Sequence, residues 1–172
     1  MIDIGRKQLL GLITEGISTE ELNSEYDYSG IKDFSYMFYH RPHIKHVPTL
    51  NLSNADVIHS MFSGCVGLEE VHLTDVSHII SFEGMFNDCC SLRRISGLDL
   101  RRSMNCRSMF RMCSSLFEHD IIPPDPVRRC VTDGMFHCCS SIKYISPYDY
   151  LGYDFSSLYN PWIQENYPEF YV

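Results

Sequence analysis

The fold of this chain follows from SMFSGCVGLEEVHL at residues 60–73, GMFNDCCSLRRISGLDL at 84–100, SMFRMCSSLFEHD at 108–120 and GMFHCCSSIKYI at 134–145. These are copies of one unit. The dipeptide Met-Phe occurs at 37–38, 61–62, 85–86, 109–110 and 135–136, so the spacings are 24, 24, 24 and 26 residues. A unit of this length cannot bury its own hydrophobic face, and we therefore expect neighbouring copies to stack and share one core.

Other positions of the unit keep the same phase. Four residues after the Met stand Cys65, Cys89, Cys113 and Cys139, with Arg41 in the first copy. Seven residues after it stand Ile44, Leu68, Leu92, Leu116 and Ile142, and ten after it Val47, Val71, Ile95 and Ile145, with His119 as the exception. The Leu-x-x-Ile stretch, with alternating residues after it, predicts the short strand of each unit.

Stacked copies of such a strand form a parallel sheet with strands about 4.8 Å apart. The Met, Phe and Cys positions would lie on the returning arm and point inward as columns. We therefore predict an α+β repeat fold, a short leucine-rich-repeat solenoid with a curved parallel β-sheet and about 24 residues per repeat. Prolines 123, 124 and 126 lengthen the spacing after the third full copy and should interrupt its strand or bend its return loop.

The repeated small-Met-Phe-x-x-Cys-x-x-Leu core resembles bacterial-type leucine-rich repeats of the BspA-like or Mycoplasma-lipoprotein type. The resemblance runs from about Phe34 to Ile145, roughly two thirds of the chain. It implies adhesion or protein recognition without catalysis, and many members of that family are secreted or anchored outside the cell.

We predict one domain in three parts: an N-terminal cap at 1–33, a solenoid of about five repeats at 34–146, and an aromatic-rich C-terminal cap at 147–172. The N-terminal cap should hold short helices around Lys7–Glu15 and Ser18–Leu22, the second opened by a capping hydroxyl and early acids. The tail either covers the last core layer or offers a docking edge, since aromatic residues suit both roles. The possible docking edge comprises Tyr150, Tyr153, Phe155, Tyr159 and Trp162.

Composition bounds the partners. The 172 residues are 44% hydrophobic with a formal net charge of -8, which excludes a disordered chain and argues against direct nucleic-acid binding. We found neither a bilayer-spanning apolar run nor a signal-peptide pattern, so we expect no membrane insertion. Eight cysteines in such a chain suggest reduced thiols and a cytoplasmic location, the host cytoplasm for a viral protein, and an extracellular one only after removal of a leader.

Candidate chemistry is sparse. The four in-phase cysteines should form a buried ladder of small hydrophobes, whereas Cys90, Cys106, Cys130 and Cys138 should be more accessible. His40, His43 and His46 are compact, but no Cys-x-x-Cys pair completes a zinc site, so we predict surface histidines, no metal and no cofactor. Enzyme motifs are absent from the sequence, and we predict that the protein is not an enzyme.

The predicted partner-binding residues flank the inward Leu and Ile on the concave sheet face. They are Lys45, His46, Glu69, Glu70, His72, Arg93, Arg94, Phe117, Glu118, Asp120, Lys143 and Tyr144. Charge sign alternates from one copy to the next. Either Glu69 or Glu70 pairs with Arg93 or Arg94 across the sheet, or the pattern recognises one protein by charge register, and both can hold.

Two functions fit these observations. The first is a non-enzymatic protein–protein interaction module built on the solenoid. The alternative is a small acidic phage or viral inhibitor that occupies the basic channel of a host defence or nucleic-acid-binding enzyme. Both make another protein the partner, and the sequence leaves the oligomeric state open.

Overall fold

The structure of the protein is a computed structural model, and it describes residues 1–142 and Glu165. The strands within this part are β1 (Ile2–Asp3), β2 (Tyr26–Asp27), β3 (Leu50–Asn51), β4 (Glu70–Thr74), β5 (Arg94–Ser96) and β6 (Glu118–His119). The helices are α1 (Arg6–Thr14), α2 (Thr19–Glu25) and a short 3₁₀ helix (Pro126–Arg128). Strands β1 and β2 form a two-stranded parallel sheet, and β3 to β6 form a four-stranded parallel sheet in chain order.

Both expected N-terminal helices are present. The Ser18 hydroxyl accepts a hydrogen bond of 3.1 Å from the Glu21 amide and so caps the start of α2. The acidic side chains of Glu20 and Glu21 in the first turn also stabilise the helix, because its N-terminus carries a partial positive charge. Helix α1 buries Leu9 and Ile13, four residues apart, against the core. Sequence alone therefore located both helices to within a few residues.

The main sheet keeps the register of the sequence repeat. Glu70 pairs with Arg94 and Arg94 with Glu118, each exactly one 24-residue spacing along the chain. Val71 and Ile95 lie between the outward residues and are buried. The predicted parallel pairing of equivalent positions is confirmed.

A second set of hydrogen bonds joins the copies along the Met-Phe arm. The Ser60 amide donates to the Glu83 carbonyl, and the Phe62 amide donates to the Met85 carbonyl, both at 2.9 Å. The next copy repeats the pattern at Gly84 and Phe86. The returning arm is thus hydrogen-bonded from copy to copy like the strands, which the sequence analysis did not anticipate.

The residue before each Met has a left-handed backbone. Its φ is 54° at Tyr36, 52° at Ser60, 59° at Gly84, 52° at Ser108 and 63° at Gly134. Glycine adopts this conformation at little cost, and larger residues adopt it with strain. The preference for a small residue here, visible in the sequence, therefore reflects backbone conformation.

Phenylalanine rings form the centre of the core. Neighbouring rings have centroids 5.0–5.5 Å apart and planes within 5° of parallel. The stacked residues are Phe38, Phe62, Phe86, Phe110 and Phe136. Met61, Met85 and Met109 are also fully buried, which confirms that the Met-Phe columns point inward.

The cysteine ladder is buried, as predicted, and its thiols also make hydrogen bonds. Each thiol donates to the carbonyl of the Phe in the preceding copy, as in Cys89 to Phe62 at 3.1 Å and Cys113 to Phe86 at 3.1 Å. Burial raises the pKa of Cys65 to about 11 and also raises the pKa of Cys89 well above its usual value. These thiols are therefore protonated at neutral pH and serve the core.

One cysteine prediction was wrong. Cys106 is fully buried, although the sequence analysis expected it to be accessible. It lies three residues before Met109, at the position that Phe34, Ile58 and Phe82 occupy as core residues in other copies. Of the other three cysteines outside the ladder, Cys90 and Cys130 are half-buried and Cys138 is exposed.

The strands differ between copies. In the first copy the predicted strand is reduced to an isolated bridge between His46 and Glu70, and the regular strand β3 comes only after Pro48. Proline lacks the amide proton that a ladder needs, which accounts for the break. Strand β6 is only two residues long and is followed by the proline-rich segment, as expected.

The described chain thus has the predicted α+β class, with parallel sheets and few helices, and is compatible with a repeat-like fold. The part boundaries at 33 and 146 stay predictions. The predicted C-terminal cap at 147–172 lies outside the described residues, apart from Glu165.

Candidate functional site

The candidate site is the outward face of the main sheet, here named the charged stripe. It comprises the ten described residues of the predicted binding set: Lys45, His46, Glu69, Glu70, His72, Arg93, Arg94, Phe117, Glu118 and Asp120. Strand alternation explains the exposure of Glu70 and His72 on either side of the buried Val71, and of Arg94 before the buried Ile95. The plus-eight residues Glu69, Arg93 and Phe117 lie just before strands β4, β5 and β6. The remaining predicted members, Lys143 and Tyr144, lie outside the described residues, as does the whole possible C-terminal docking edge.

Seven members of the charged stripe line one groove of about 240 Å³. They are His46, Glu69, Glu70, Arg93, Arg94, Phe117 and Glu118. The structure therefore brings together the plus-eight and plus-nine residues of the copies that begin at Met61, Met85 and Met109, with His46 from the first copy. Lys45 is exposed but does not line this groove.

The ion pairs across the groove differ from those predicted. Arg94 donates to the Glu118 carboxylate at 2.8 Å, rather than to Glu69 or Glu70. Glu70 faces the other way, with its carboxylate 3.9 Å from the His46 ring. Arg94 lies in register between two acids, and its single guanidinium hydrogen-bonds only one of them. Hydrogen bonding to Glu118 raises the pKa of Arg94, whose charge is therefore permanent.

The two stripe members at plus eleven are engaged within the chain. The His72 ring lies 2.5 Å from the Ser96 hydroxyl, and the Asp120 carboxylate accepts a hydrogen bond of 2.8 Å from the Gly97 amide. Gly97 has a φ of 81° and sits so close to the Leu73 carbonyl that a side chain would overlap it. The side chains of His72 and Asp120 therefore form hydrogen bonds between neighbouring copies within the chain.

Phe117 and Arg93 present exposed side chains in the groove to a partner. Phe117 directly precedes strand β6, and its large aromatic side chain is 50% exposed. Arg93 is exposed and makes no ion pair within residues 1–142. Aromatic residues and arginine are both enriched at the centres of protein interfaces, and arginine is frequent among the residues that contribute most to binding.

The three N-terminal histidines are not arranged as a metal site. His40, His43 and His46 are all exposed, and the described residues hold no group of three His, Cys, Asp or Glu side chains placed to bind a metal ion. His40 instead packs edge-on against Tyr39, with ring centroids 4.3 Å apart.

The sequence analysis missed one polar cluster below the surface. Ser103, Cys106 and Cys130 lie together where the third and fourth full copies meet. The buried Cys106 could have been predicted from its repeat position. The inward turn of Cys130 could not, because it depends on the two extra residues of the 26-residue spacing.

Comparison with protein families identifies the chain. A family model described as "Mycoplasma protein of unknown function, DUF285" matches residues 12–143. The chain belongs to this family. The match covers the whole described repeat and agrees with the Mycoplasma-type resemblance seen in the sequence. No curated protein and no solved structure matches the chain.

The DUF285 match carries no function of its own, and it gives no support to the phage or viral inhibitor alternative. In the described part of this DUF285 member, no helix is both long and apolar enough to cross a bilayer.

Proposed function

We propose that this chain is a non-enzymatic protein-interaction module, built as a short leucine-rich-repeat solenoid, which binds its partner through the charged stripe. The observation that carries the proposal is the half-exposed Phe117 beside Arg93, which makes no ion pair within residues 1–142, in a groove of alternating charge. Burying such a ring and pairing such a guanidinium would both favour association.

The repeat geometry supports the solenoid. Equivalent residues pair at the 24-residue spacing in the main sheet, and equivalent phenylalanine rings stack at 5.0–5.5 Å. Hydrogen bonds join successive copies on both the strand side and the Met-Phe side. Contacts of each copy mainly with its neighbours are the defining property of repeat solenoids.

The charges of the groove suggest the chemistry of the partner. Arg93 and Arg94 lie between the acidic pair Glu69–Glu70 on one side and Glu118 on the other. A protein segment could pair an acidic group with the Arg93 guanidinium and pack an apolar side chain against the Phe117 ring. Like charges placed there would be repelled, so the stripe would select its partner by charge register.

The four ladder cysteines support a non-enzymatic role. A thiol acts as a nucleophile in its deprotonated form, and burial raises the pKa of the ladder thiols Cys65, Cys89, Cys113 and Cys139. The predictions of no cofactor, no direct nucleic-acid binding and a cytoplasmic location are carried forward with this proposal as predictions.

The test is affinity capture with matched stripe and control variants. Arg93→Glu and Phe117→Ala alter the groove, whereas Arg111→Glu and Ile80→Ala make comparable changes at exposed positions outside it. All four side chains are exposed, so each variant should keep the wild-type circular dichroism and melting temperature. Binding is then measured with the captured protein in purified form by calorimetry.

We expect the stripe variants to weaken binding at least about tenfold, which corresponds to roughly 1.4 kcal/mol, and the control variants to leave it unchanged. Equal losses from Arg93→Glu and Arg111→Glu would refute the stripe as the binding surface. Catalytic turnover of any captured protein or its ligand would refute the non-enzymatic role.

A further inference from the structure

The cluster of Ser103, Cys106 and Cys130 is independent of the charged stripe and of the proposed function. The Ser103 hydroxyl oxygen lies 3.0 Å from the Cys106 sulfur and 3.7 Å from the Cys130 sulfur. Because both sulfurs contact the same oxygen atom, the distance between the two sulfurs cannot exceed the sum of these two distances.

The fold brings the two cysteines together through one parallel bridge. Asn105 pairs with Val131, the Cys106 amide donates to the Val131 carbonyl at 2.7 Å, and the Val131 amide donates to the Met104 carbonyl at 2.9 Å. Cys106 and Cys130 are the residues directly beside this bridge. The Cys106 backbone is held by its own hydrogen bond, and Cys130 directly precedes the hydrogen-bonded Val131.

The 26-residue spacing turns Cys130 inward. In the other copies the residue five positions before the Met is exposed: Lys32, Asp56, Ile80 and Met104. Cys130 occupies that position but is half-buried, and it follows Arg129, whose backbone is left-handed with a φ of 51°. In the copy with the 26-residue spacing, a position that is exposed elsewhere is therefore occupied by Cys130, whose side chain faces a neighbouring thiol. Cys130 still has partial access to solvent.

The environment divides the roles of the two thiols. Hydrogen bonding from Cys106, together with the Ser103 hydroxyl, lowers the pKa of Cys130 to about 7. The same contact and burial raise the pKa of Cys106. Cys130 therefore supplies an accessible thiolate near neutral pH, and Cys106 supplies a protonated thiol beside it.

We propose that Cys130 is a peroxide-sensitive modification site that forms an intramolecular disulfide with Cys106. The Cys130 thiolate attacks one oxygen of hydrogen peroxide, the O–O bond breaks, and sulfenic acid and hydroxide result. The Cys106 sulfur then attacks the sulfenic sulfur, and the S–O bond breaks. The departing hydroxide takes up the Cys106 proton and leaves as water. Overall, two thiols are oxidised, peroxide is reduced, and two waters form.

The ladder cysteines and Cys138 lack this combination of an accessible thiol and a neighbouring resolving thiol. The ladder thiols are buried and donate to phenylalanine carbonyls, so peroxide cannot reach them in the folded protein. Cys138 is exposed, but the thiol next to it in the sequence, Cys139, points into the core. Cys138 therefore serves as the control cysteine, because its thiol is accessible to peroxide but the thiol next to it in the sequence points away into the core.

The test is peroxide oxidation of the full-length folded chain, followed by alkylation of the remaining thiols and tryptic mapping. Trypsin cuts after Arg102, Arg107, Arg129 and Lys143, so Cys106 leaves in peptide 103–107 and Cys130 in peptide 130–143. We expect these two peptides to appear joined by a disulfide, with fragmentation placing the bond at Cys130. The intact chain should lose two hydrogen atoms and remain monomeric on a non-reducing gel relative to the untreated sample.

Cys106→Ser supplies the second readout, because it removes the resolving sulfur and keeps a small polar side chain. In this variant peroxide should leave Cys130 as sulfenic acid, which dimedone traps, whereas the wild-type chain should give little dimedone adduct. Cys138→Ser should behave like the wild type. The proposal would be overturned if the wild-type disulfide joined Cys138 or two different chains, or if peroxide left Cys106 and Cys130 both free for alkylation.

Discussion

Phe86→Ala tests the shared phenylalanine core most directly. Phe86 is fully buried, and its ring is stacked between Phe62 at 5.4 Å and Phe110 at 5.5 Å. Removing a buried phenyl ring costs roughly 3–5 kcal/mol, since transfer free energy is lost and a cavity remains. The two stacked contacts place Phe86 toward the upper end of this range. For a chain of this size, the melting temperature should fall by roughly 6–20 °C.

The assay is urea unfolding followed by circular dichroism, with Phe117→Ala as the matched control. That variant deletes the same ring from a half-exposed position, so its free energy of unfolding should change by less than about 1 kcal/mol. If Phe86→Ala were no more destabilising than Phe117→Ala, the stacked column would contribute no shared core, and the reasoning from the repeat would fail.

Three further changes probe the backbone, a carboxylate and the thiols. Gly97→Ala should destabilise the fold by at least about 2 kcal/mol, because its φ of 81° and the overlap with a neighbouring carbonyl both oppose a side chain. Hydrogen bonding to an arginine lowers the pKa of Asp99 from 3.8, so Asp99→Asn should reduce stability near neutral pH, and the difference from wild type should vanish as acid protonates the carboxylate. In the native chain at neutral pH, Cys138 should react with maleimide while Cys89 stays unmodified.

Each of these has a comparison within the chain. Gly11→Ala, inside α1 with no atom within 4 Å of the new methyl group, should stabilise by up to about 1 kcal/mol in the same unfolding assay. Asp75 shares the repeat position of Asp99 but makes no ion pair within residues 1–142, so Asp75→Asn should cost less stability at neutral pH than Asp99→Asn. Fast native labelling of Cys89 would contradict the buried ladder.

Much of the core could be predicted from spacing alone. Side chains that recur every 24 residues in stacked copies must occupy equivalent places, so the Met, Phe, Leu and Cys columns follow from the sequence. The same argument would have placed Cys106 in the core, had its position three residues before Met109 been compared with Phe34, Ile58 and Phe82.

The charged stripe was predictable as a set of outward residues, but its pairing was not. Strand alternation fixes which side chains face outward. Long flexible side chains in register with two opposite charges choose between them by local rotamer geometry, as Arg94 does in pairing with Glu118.

The sequence by itself therefore determined the repeat length, the inward columns, both N-terminal helices and the outward charges, because each depends on periodicity or local chemistry. Only the tertiary structure decided the left-handed residue before each Met, the hydrogen bonds along the Met-Phe arm and the inward turn of Cys130. Those features depend on the backbone contacts between one copy and the next. A two-residue change in spacing alters these contacts without changing the pattern of residue types.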